Sequence, residues 1–421
     1  MSDDLASLLG SAAEACTLPD YAGGSILNLP AEIGRLLGVH DGWEAPPLRG
    51  GVGVDARAVR RVALVLIDGL GWNRLRRHVS EDPAWGRMVA RFGGAELTVT
   101  SVAPATTTVA TTVLLSNGAP PVRTGILGYS QRLPGVGRVA DMLYWRAVAE
   151  PGRAAQDLEE MGVAPETFLP TPSLFQTLAR GGVASEAFLP RAIRRSPLSR
   201  LQFRGAAPRG AASLEDALRQ LGELFAHRPD IRFAYAYHSE LDTVSHLHGP
   251  EGEAWTTTFM RIQATLEGWL ASLPAAARDG TLVLITADHG LVETPPDQRR
   301  HLTSLRSSIP LLAGPPGGEP RHVHLYARKG ATRALLDAAR GALGDAFVVL
   351  DGHRALDAGL YGGPRPRHPE SEARVGDVVV VALGGATLWA DVPAALRGMH
   401  GALDEREMRV PLVALPLSAQ R

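Results

Sequence analysis

Val62-Ala63-Leu64-Val65-Leu66-Ile67, followed at once by Asp68-Gly69, is the stretch on which the fold turns. Six consecutive apolar residues without alternation describe a strand buried on both faces, as in a central parallel strand covered by helices on either side. Two other segments share this character, Ile231-Arg232-Phe233-Ala234-Tyr235-Ala236-Tyr237 and Thr281-Leu282-Val283-Leu284-Ile285-Thr286. Helical spacing of apolar residues fills the intervals at 213–226 and 254–272. Strands alternating with helices predict an α/β fold with a doubly wound, mostly parallel sheet. Ligands in such sheets bind outside the carboxyl ends of the strands, and all three strands run into polar clusters there.

Working outward, residues 1–60 read as a lead-in. A short amphipathic segment precedes Gly23-Gly24, helical spacing covers 26–39, and Pro46-Pro47 and Gly50-Gly51-Val52-Gly53 form a loop. Between 296 and 370 the pattern restarts, with a strand at 322–327, a helix at 332–343 and a strand at 346–350. This predicts a small inserted α+β lid over 296–370, with 1–295 and 371–421 forming the catalytic core. Residues 130–212, rich in Arg and Pro, carry few strand signals and read as excursions above the site. Residues 375–382 and 408–415 return to core character.

Composition excludes several classes. With 45% hydrophobic and 21% charged residues, the 421-residue chain is an ordinary globular protein rather than a disordered or fibrous one. A net charge of −1 provides no overall field to draw nucleic acid or anionic lipid. The single Cys16 excludes a disulfide scaffold or a Cys-rich zinc module and suits a reducing compartment. All but one of the 43 basic residues are Arg, and Lys329 lies in no Gly-rich phosphate loop, which excludes a P-loop NTPase. The acidic start Met1-Ser2-Asp3-Asp4 is unlike a signal peptide, and no apolar run reaches ~18 residues. The expectation is a cytoplasmic protein without a membrane or nucleic-acid partner.

Four separated motifs carry acid, hydroxyl and imidazole groups. Asp68 ends the first strand, where a carboxylate points into a cleft or simply caps a turn. Pro104-Ala105-Thr106-Thr107-Thr108 precedes apolar residues; a helix starting there offers free N–H groups that favour an anion, or the threonines merely cap and pack. Glu240-Leu241-Asp242-Thr243-Val244-Ser245-His246 places Asp242 and His246 four apart, on one face of a helix and able to grip one metal. Ala287-Asp288-His289-Gly290 follows an apolar strand, and both ligands reach one metal only if the strand has ended, a break assigned to Gly290. His400, between Met399 and Gly401, completes a ligand count. Asp242, His246 and His400 form one group; Asp68, Asp288, His289 and a threonine oxygen form a second. Nitrogen and oxygen donors without sulfur suit two catalytic zinc ions, with manganese as the alternative.

The order Asp, Thr, Asp-x-x-x-His, Asp-His-Gly, His-Gly resembles the alkaline phosphatase superfamily, and within it the type I phosphodiesterase/nucleotide pyrophosphatase branch. Gly23-Gly24-Ser25, Gly318-Glu319-Pro320-Arg321 and Arg374-Val375-Gly376-Asp377 resemble a bacterial subgroup labelled alkaline phosphatase family protein. The resemblance implies Thr107 as nucleophile, three residues after Pro104, with Thr106 and Thr108 as rivals because the triplet leaves the register open. It implies Asp68, Thr107, Asp288 and His289 around one metal and Asp242, His246 and His400 around the other.

One departure bears on the substrate. Nucleotide pyrophosphatases end a Gly-Ile-x-Gly-Asn segment with an Asn that helps hold the phosphoryl oxygen, whereas this chain reads Gly125-Ile126-Leu127-Gly128-Tyr129. The Tyr129 hydroxyl, a backbone N–H of Thr107 or Thr108, or an Arg must substitute. The implied function is metal-dependent hydrolysis of a small phosphorylated substrate, nucleotides included, by a phosphodiesterase/nucleotide pyrophosphatase. A phosphomonoesterase or phosphonate hydrolase on the same metals is the alternative, and a metal-containing binding protein without turnover is a third reading.

Overall fold

The computed structural model describes residues 2–363, 366–389 and 395–417. Its central sheet has seven strands: β1 (Arg61–Ile67), β2 (Ala95–Thr100), β3 (Ala184–Pro190), β4 (Arg209–Ala211), β5 (Ile231–His238), β6 (Thr281–Thr286) and β7 (Arg409–Leu417). Their order across the sheet is β2-β7-β6-β1-β5-β3-β4. Every pairing from β6 to β4 is parallel, and β7 runs antiparallel to both of its neighbours. The fold is therefore the α/β, mostly parallel arrangement that the strand–helix alternation predicts.

The three apolar runs form the middle of this sheet. Residues 62–67 are wholly buried, which explains why no face of β1 is polar. Leu66 lies opposite Thr286 on one side, and Ile67 opposite His238 on the other. The three carboxyl ends are thus level, so the residues that follow them meet at one edge. Helices Leu214–His227 and Glu253–Ser272 pack together nearby. The second of these buries Trp255, Phe259, Ile262, Leu266 and Leu270, a repeat of three to four residues that sets one stripe against the core.

A second sheet has eight short strands, in the order Phe347–Asp351, Val378–Ala382, His322–Leu325, Gly317–Glu319, Ser130–Leu133, Arg138–Asp141, Arg146–Ala147 and Gln156–Asp157. Its pairings are antiparallel throughout. The strand, helix and strand expected between 322 and 350 are present, the helix at Thr332–Leu343. The sheet they join is not confined to 296–370, because it also takes strands from 130–157 and from Val378–Ala382. Residues 130–212 are likewise not all excursions: Ala184–Pro190 and Arg209–Ala211 are strands of the central sheet. These strands are short or mixed in polarity, so they leave no apolar run in the sequence.

Candidate active site at the strand ends

Asp68 follows β1 directly and is 2% exposed. Its Oδ2 accepts a short hydrogen bond from the Tyr237 hydroxyl at the end of β5, while its Oδ1 has no hydrogen-bond partner. Asp288, wholly buried, sits two residues beyond β6. Its Oδ1 accepts from the backbone N–H groups of Gly69 (3.3 Å) and His289 (3.1 Å), and its Oδ2 is left without a hydrogen bond. Asp242 stands on the helix Glu240–His248 that follows β5, and its Oδ1 is also unpartnered. Three buried acceptors without donors would each accept a cation as partner.

The histidines supply the complementary half. On that helix, His246 Nε2 lies 3.4 Å from Asp242 Oδ1, as four-residue spacing on one helical face requires. His400 Nε2 is 4.0 Å from the same oxygen. His289 Nε2 lies 3.6 Å from both Asp68 Oδ1 and Asp288 Oδ2. In each ring the other nitrogen faces a carbonyl: His246 Nδ1 with Gly398 at 2.7 Å, His400 Nδ1 with Ala105 at 3.1 Å, His289 Nδ1 with Gly290 at 3.2 Å. A carbonyl only accepts, so each Nδ1 carries a proton, and in the neutral ring Nε2 turns its lone pair to the cleft. Fixing the tautomer through a carbonyl in this way is how metal-ligating histidines are oriented.

The electrostatics agree with that arrangement. Burial, then the neighbouring Asp288 and Asp242 carboxylates, push the Asp68 carboxyl well above the usual range. Burial also raises Asp288, partly opposed by His289. Burial and the adjacent His289 and His246 hold His400 well below the ordinary imidazole value, hence neutral. Donor atoms of Asp68, Asp288 and His289 lie within 4.8 Å of one another, as do those of Asp242, His289 and His400. His289 Nε2 therefore lies within reach of both groups, although one lone pair serves only one ion.

Thr107 is the first residue of the helix Thr107–Leu114. Its Oγ1 is 3.0 Å from His289 Nε2, so its hydroxyl donates into the cluster. Thr106 and Thr108 are buried instead. Thr106 makes no capping hydrogen bond and the Thr108 hydroxyl has no partner, so neither caps the helix. The leading N–H groups of this helix have no intrahelical acceptor and favour an anion beside Thr107. A cleft of about 580 Å³ opens here, lined by Thr106, Thr107, Thr108, Tyr129, Asp242 and His246 together with Glu319 and His400. Tyr144 (65% exposed) and Leu247 (44%) stand in the same lining. None of the described lining residues is Arg or Lys. The Tyr129 hydroxyl faces Asp141, and burial with that carboxylate pushes it up.

All seven residues singled out as ligands in the sequence thus converge, and His248 is exposed beyond them. Gly290 acts differently from expectation. Its backbone needs no left-handed φ, but a Cβ there would fall 2.0 Å from the Arg406 carbonyl oxygen, so close packing excludes any side chain. Tyr237 went unnoticed in the sequence, although as the penultimate residue of an apolar strand its hydroxyl was a signal.

A family model described as type I phosphodiesterase / nucleotide pyrophosphatase matches residues 62–403. No curated protein matches the sequence. Among solved structures, murine ectonucleotide pyrophosphatase / phosphodiesterase 5 is similar at TM-score 0.63 and 18% identity, over 84% of this chain and 87% of that one. An inactive form of the murine protein in complex with AMP gives 0.62 and 18%, over 85% and 88%. Phosphonoacetate hydrolase from Sinorhizobium meliloti 1021, in complex with phosphonoformate, gives 0.59 and 19%, over 85% and 90%. At these identities the structural likeness speaks to the fold.

Proposed function

The chain belongs to the type I phosphodiesterase / nucleotide pyrophosphatase family of phosphoester hydrolases, and on that premise we propose that it is a two-metal phosphodiesterase with Thr107 as covalent nucleophile. The observation that carries the reading is the convergence beside Thr107 of three Nε2 lone pairs and three unpartnered carboxylate oxygens. The residues fit divalent cations: Asp68, Asp288, His289 and Thr107 would hold one, and Asp242, His246 and His400 the other. Zinc suits this oxygen and nitrogen set, with manganese as the alternative. Bound there, the ions would supply positive charge for the phosphoryl and leaving-group oxygens and acidify the threonine hydroxyl.

The chain's own residues do the rest. The free N–H groups at the start of Thr107–Leu114 aim at a phosphoryl oxygen. Attack by Thr107 Oγ forms its bond to phosphorus as the bond to the leaving oxygen breaks. Water then cleaves the phosphothreonine linkage and restores the hydroxyl. The Nδ1 hydrogen bonds of His246, His289 and His400 to backbone keep the imidazoles in one tautomer throughout.

A cleft lined by Asp242 and Glu319 and, among described residues, by no Arg or Lys supports a diester monoanion over a monoester dianion. The phosphomonoesterase or phosphonate hydrolase alternative draws on the likeness to phosphonoacetate hydrolase. The unit at 296–370 contributes Glu319 and Pro320 to the cleft wall, which supports its reading as a cover that sets substrate choice. Hydrolysis of bis-p-nitrophenyl phosphate and of p-nitrophenyl phosphate, with and without zinc or manganese, tests these readings. Metal-dependent turnover with the diester favoured is expected, faster monoester turnover would support the alternative, and metal binding without turnover would leave a binding protein.

A further inference from the structure

Tyr144 is largely exposed, yet it stands in the wall of the cleft that holds Thr107. Among the described residues four large apolar side chains are exposed, and two of them, Tyr144 and Leu247, line this one cleft. Single apolar residues scattered on a surface need no explanation, but two in one concavity mark a contact surface. Leu247 follows His246, Met399 precedes His400, and both line the cleft. The wall beside the Asp242 group is therefore apolar.

The turn that carries Tyr144 is held at a backbone cost. It joins the antiparallel strands Arg138–Asp141 and Arg146–Ala147. Asp141 Oδ1 accepts the N–H groups of Leu143 (2.9 Å) and Tyr144 (2.8 Å). Trp145 has a φ of +60°, the one positive value at a non-glycine residue among those described. A bulky side chain disfavours that region, so the surrounding packing enforces it. Trp145 is wholly buried and gives its indole N–H to the Val163 carbonyl at 2.9 Å. It also lies edge-on to Phe168, with ring centroids 5.1 Å apart. With Trp145 locked inward, Tyr144 is presented at the cleft on a fixed turn.

We propose that Tyr144 is a specificity residue that stacks on a flat, uncharged ring carried by the phosphate ester, with Leu247 and Met399 as the apolar remainder of the seat. A fixed, accessible aromatic face attracts another ring in offset or edge contact. The described lining offers no Arg or Lys to pair a second anionic group on that ring. Resting on the phosphodiesterase reading above, this names the class of ester taken: one that bears an aryl or heteroaryl group.

Calorimetric binding of phenylphosphonate, cyclohexylphosphonate and methylphosphonate to the full-length, metal-loaded protein provides the test. Wild type is compared with Tyr144→Phe, Tyr144→Leu and Tyr144→Ala. The three ligands share one anionic head and differ in the group offered to Tyr144. Apolar contact alone would favour the fuller cyclohexyl group, whereas stacking favours phenyl. Wild type should bind phenylphosphonate about tenfold more tightly than methylphosphonate and about threefold more tightly than cyclohexylphosphonate. Tyr144→Phe should keep both ratios within about twofold, while Tyr144→Leu and Tyr144→Ala should bring the phenyl-to-cyclohexyl ratio to about one. Melting temperatures should match wild type, because the side chain is mostly in solvent. Equal binding of phenyl and cyclohexyl by wild type would overturn the proposal. So would a Leu or Ala variant that keeps the wild-type ratio, or an Ala variant that melts several degrees lower. Failure of the hydrolase reading is separable: bis-p-nitrophenyl phosphate would then not be turned over, while the binding ratios are measured without turnover.

Discussion

Arg321 and Glu407 offer the sharpest test of how the two sheets hold the site. Both side chains are wholly buried, joined by Nε–Oε1 at 2.8 Å and Nη2–Oε2 at 2.7 Å. Glu407 Oε1 also accepts the N–H of Ala402 at 3.1 Å, two residues past His400. Its backbone carbonyl accepts the N–H of Gly290 at 2.8 Å, one residue past His289. Arg321 Nη1 donates to the Ala386 carbonyl at 2.6 Å. The pair therefore ties the second sheet to the segments that carry His289 and His400.

Glu407→Gln leaves the guanidinium buried against a neutral partner, a change that costs about 3–5 kcal/mol. Unfolding entropy of ~2.1 cal/mol/K per residue gives about 0.9 kcal/mol/K for a chain of 421 residues. The melting temperature should then fall by about 3–6 °C in calorimetry of the metal-loaded protein. Arg321→Met combined with Glu407→Leu removes both charges and should recover most of the loss, because a well-packed apolar pair often equals a buried ion pair. A Gln variant as stable as wild type, or a double variant no better than the single, would refute the reasoning.

Three further outcomes are expected. His289→Ala should weaken chiefly the Asp68 ion, because Nε2 faces Asp68 and Asp288, while His246→Ala should weaken chiefly the Asp242 ion; metal analysis after dialysis distinguishes the two. Gly401→Ala sets a side chain against Glu319 at a φ of +124° and should cost at least ~1–3 kcal/mol, seen as a lower melting temperature. The half-buried Cys16 thiol is pushed up to about 11 by burial and then by Asp404 and Glu407, so thiolate is scarce below that pH. Iodoacetamide should label native protein at pH 8 about a hundredfold more slowly than denatured protein, the native rate rising with pH toward 11.

What was legible in the sequence follows from what leaves a periodic trace. Residues 62–67, 233–236 and 282–285 are buried on both faces, so they stand out as unbroken apolar runs, and the acids and histidines just beyond these strands are brought together by parallel pairing. The helix at 332–343 was equally visible, because its apolar face repeats at helical spacing. Strands such as Arg146–Ala147 and Gln156–Asp157 are two residues long and partly exposed, too short to show any period. Contacts across the fold were also invisible. Tyr237 against Asp68, Glu319 against Gly401, and the reach of His289 to both ligand groups depend on side chains far apart in sequence. The threonine triplet could not be resolved by pattern, whereas the 3.0 Å approach to His289 distinguishes Thr107 from its neighbours.

The covalent role of Thr107 is the centre of the account, and acid quenching during turnover of bis-p-nitrophenyl phosphate tests it most directly. Mass spectrometry of the peptide spanning Thr106 to Thr108 should find a p-nitrophenyl phosphoryl group on Thr107 in the zinc- or manganese-loaded protein. Thr107→Ala should carry no adduct and should lose several orders of magnitude in turnover. An adduct on Thr106 or Thr108, or a Thr107→Ala variant that turns over the diester at the wild-type rate, would contradict it.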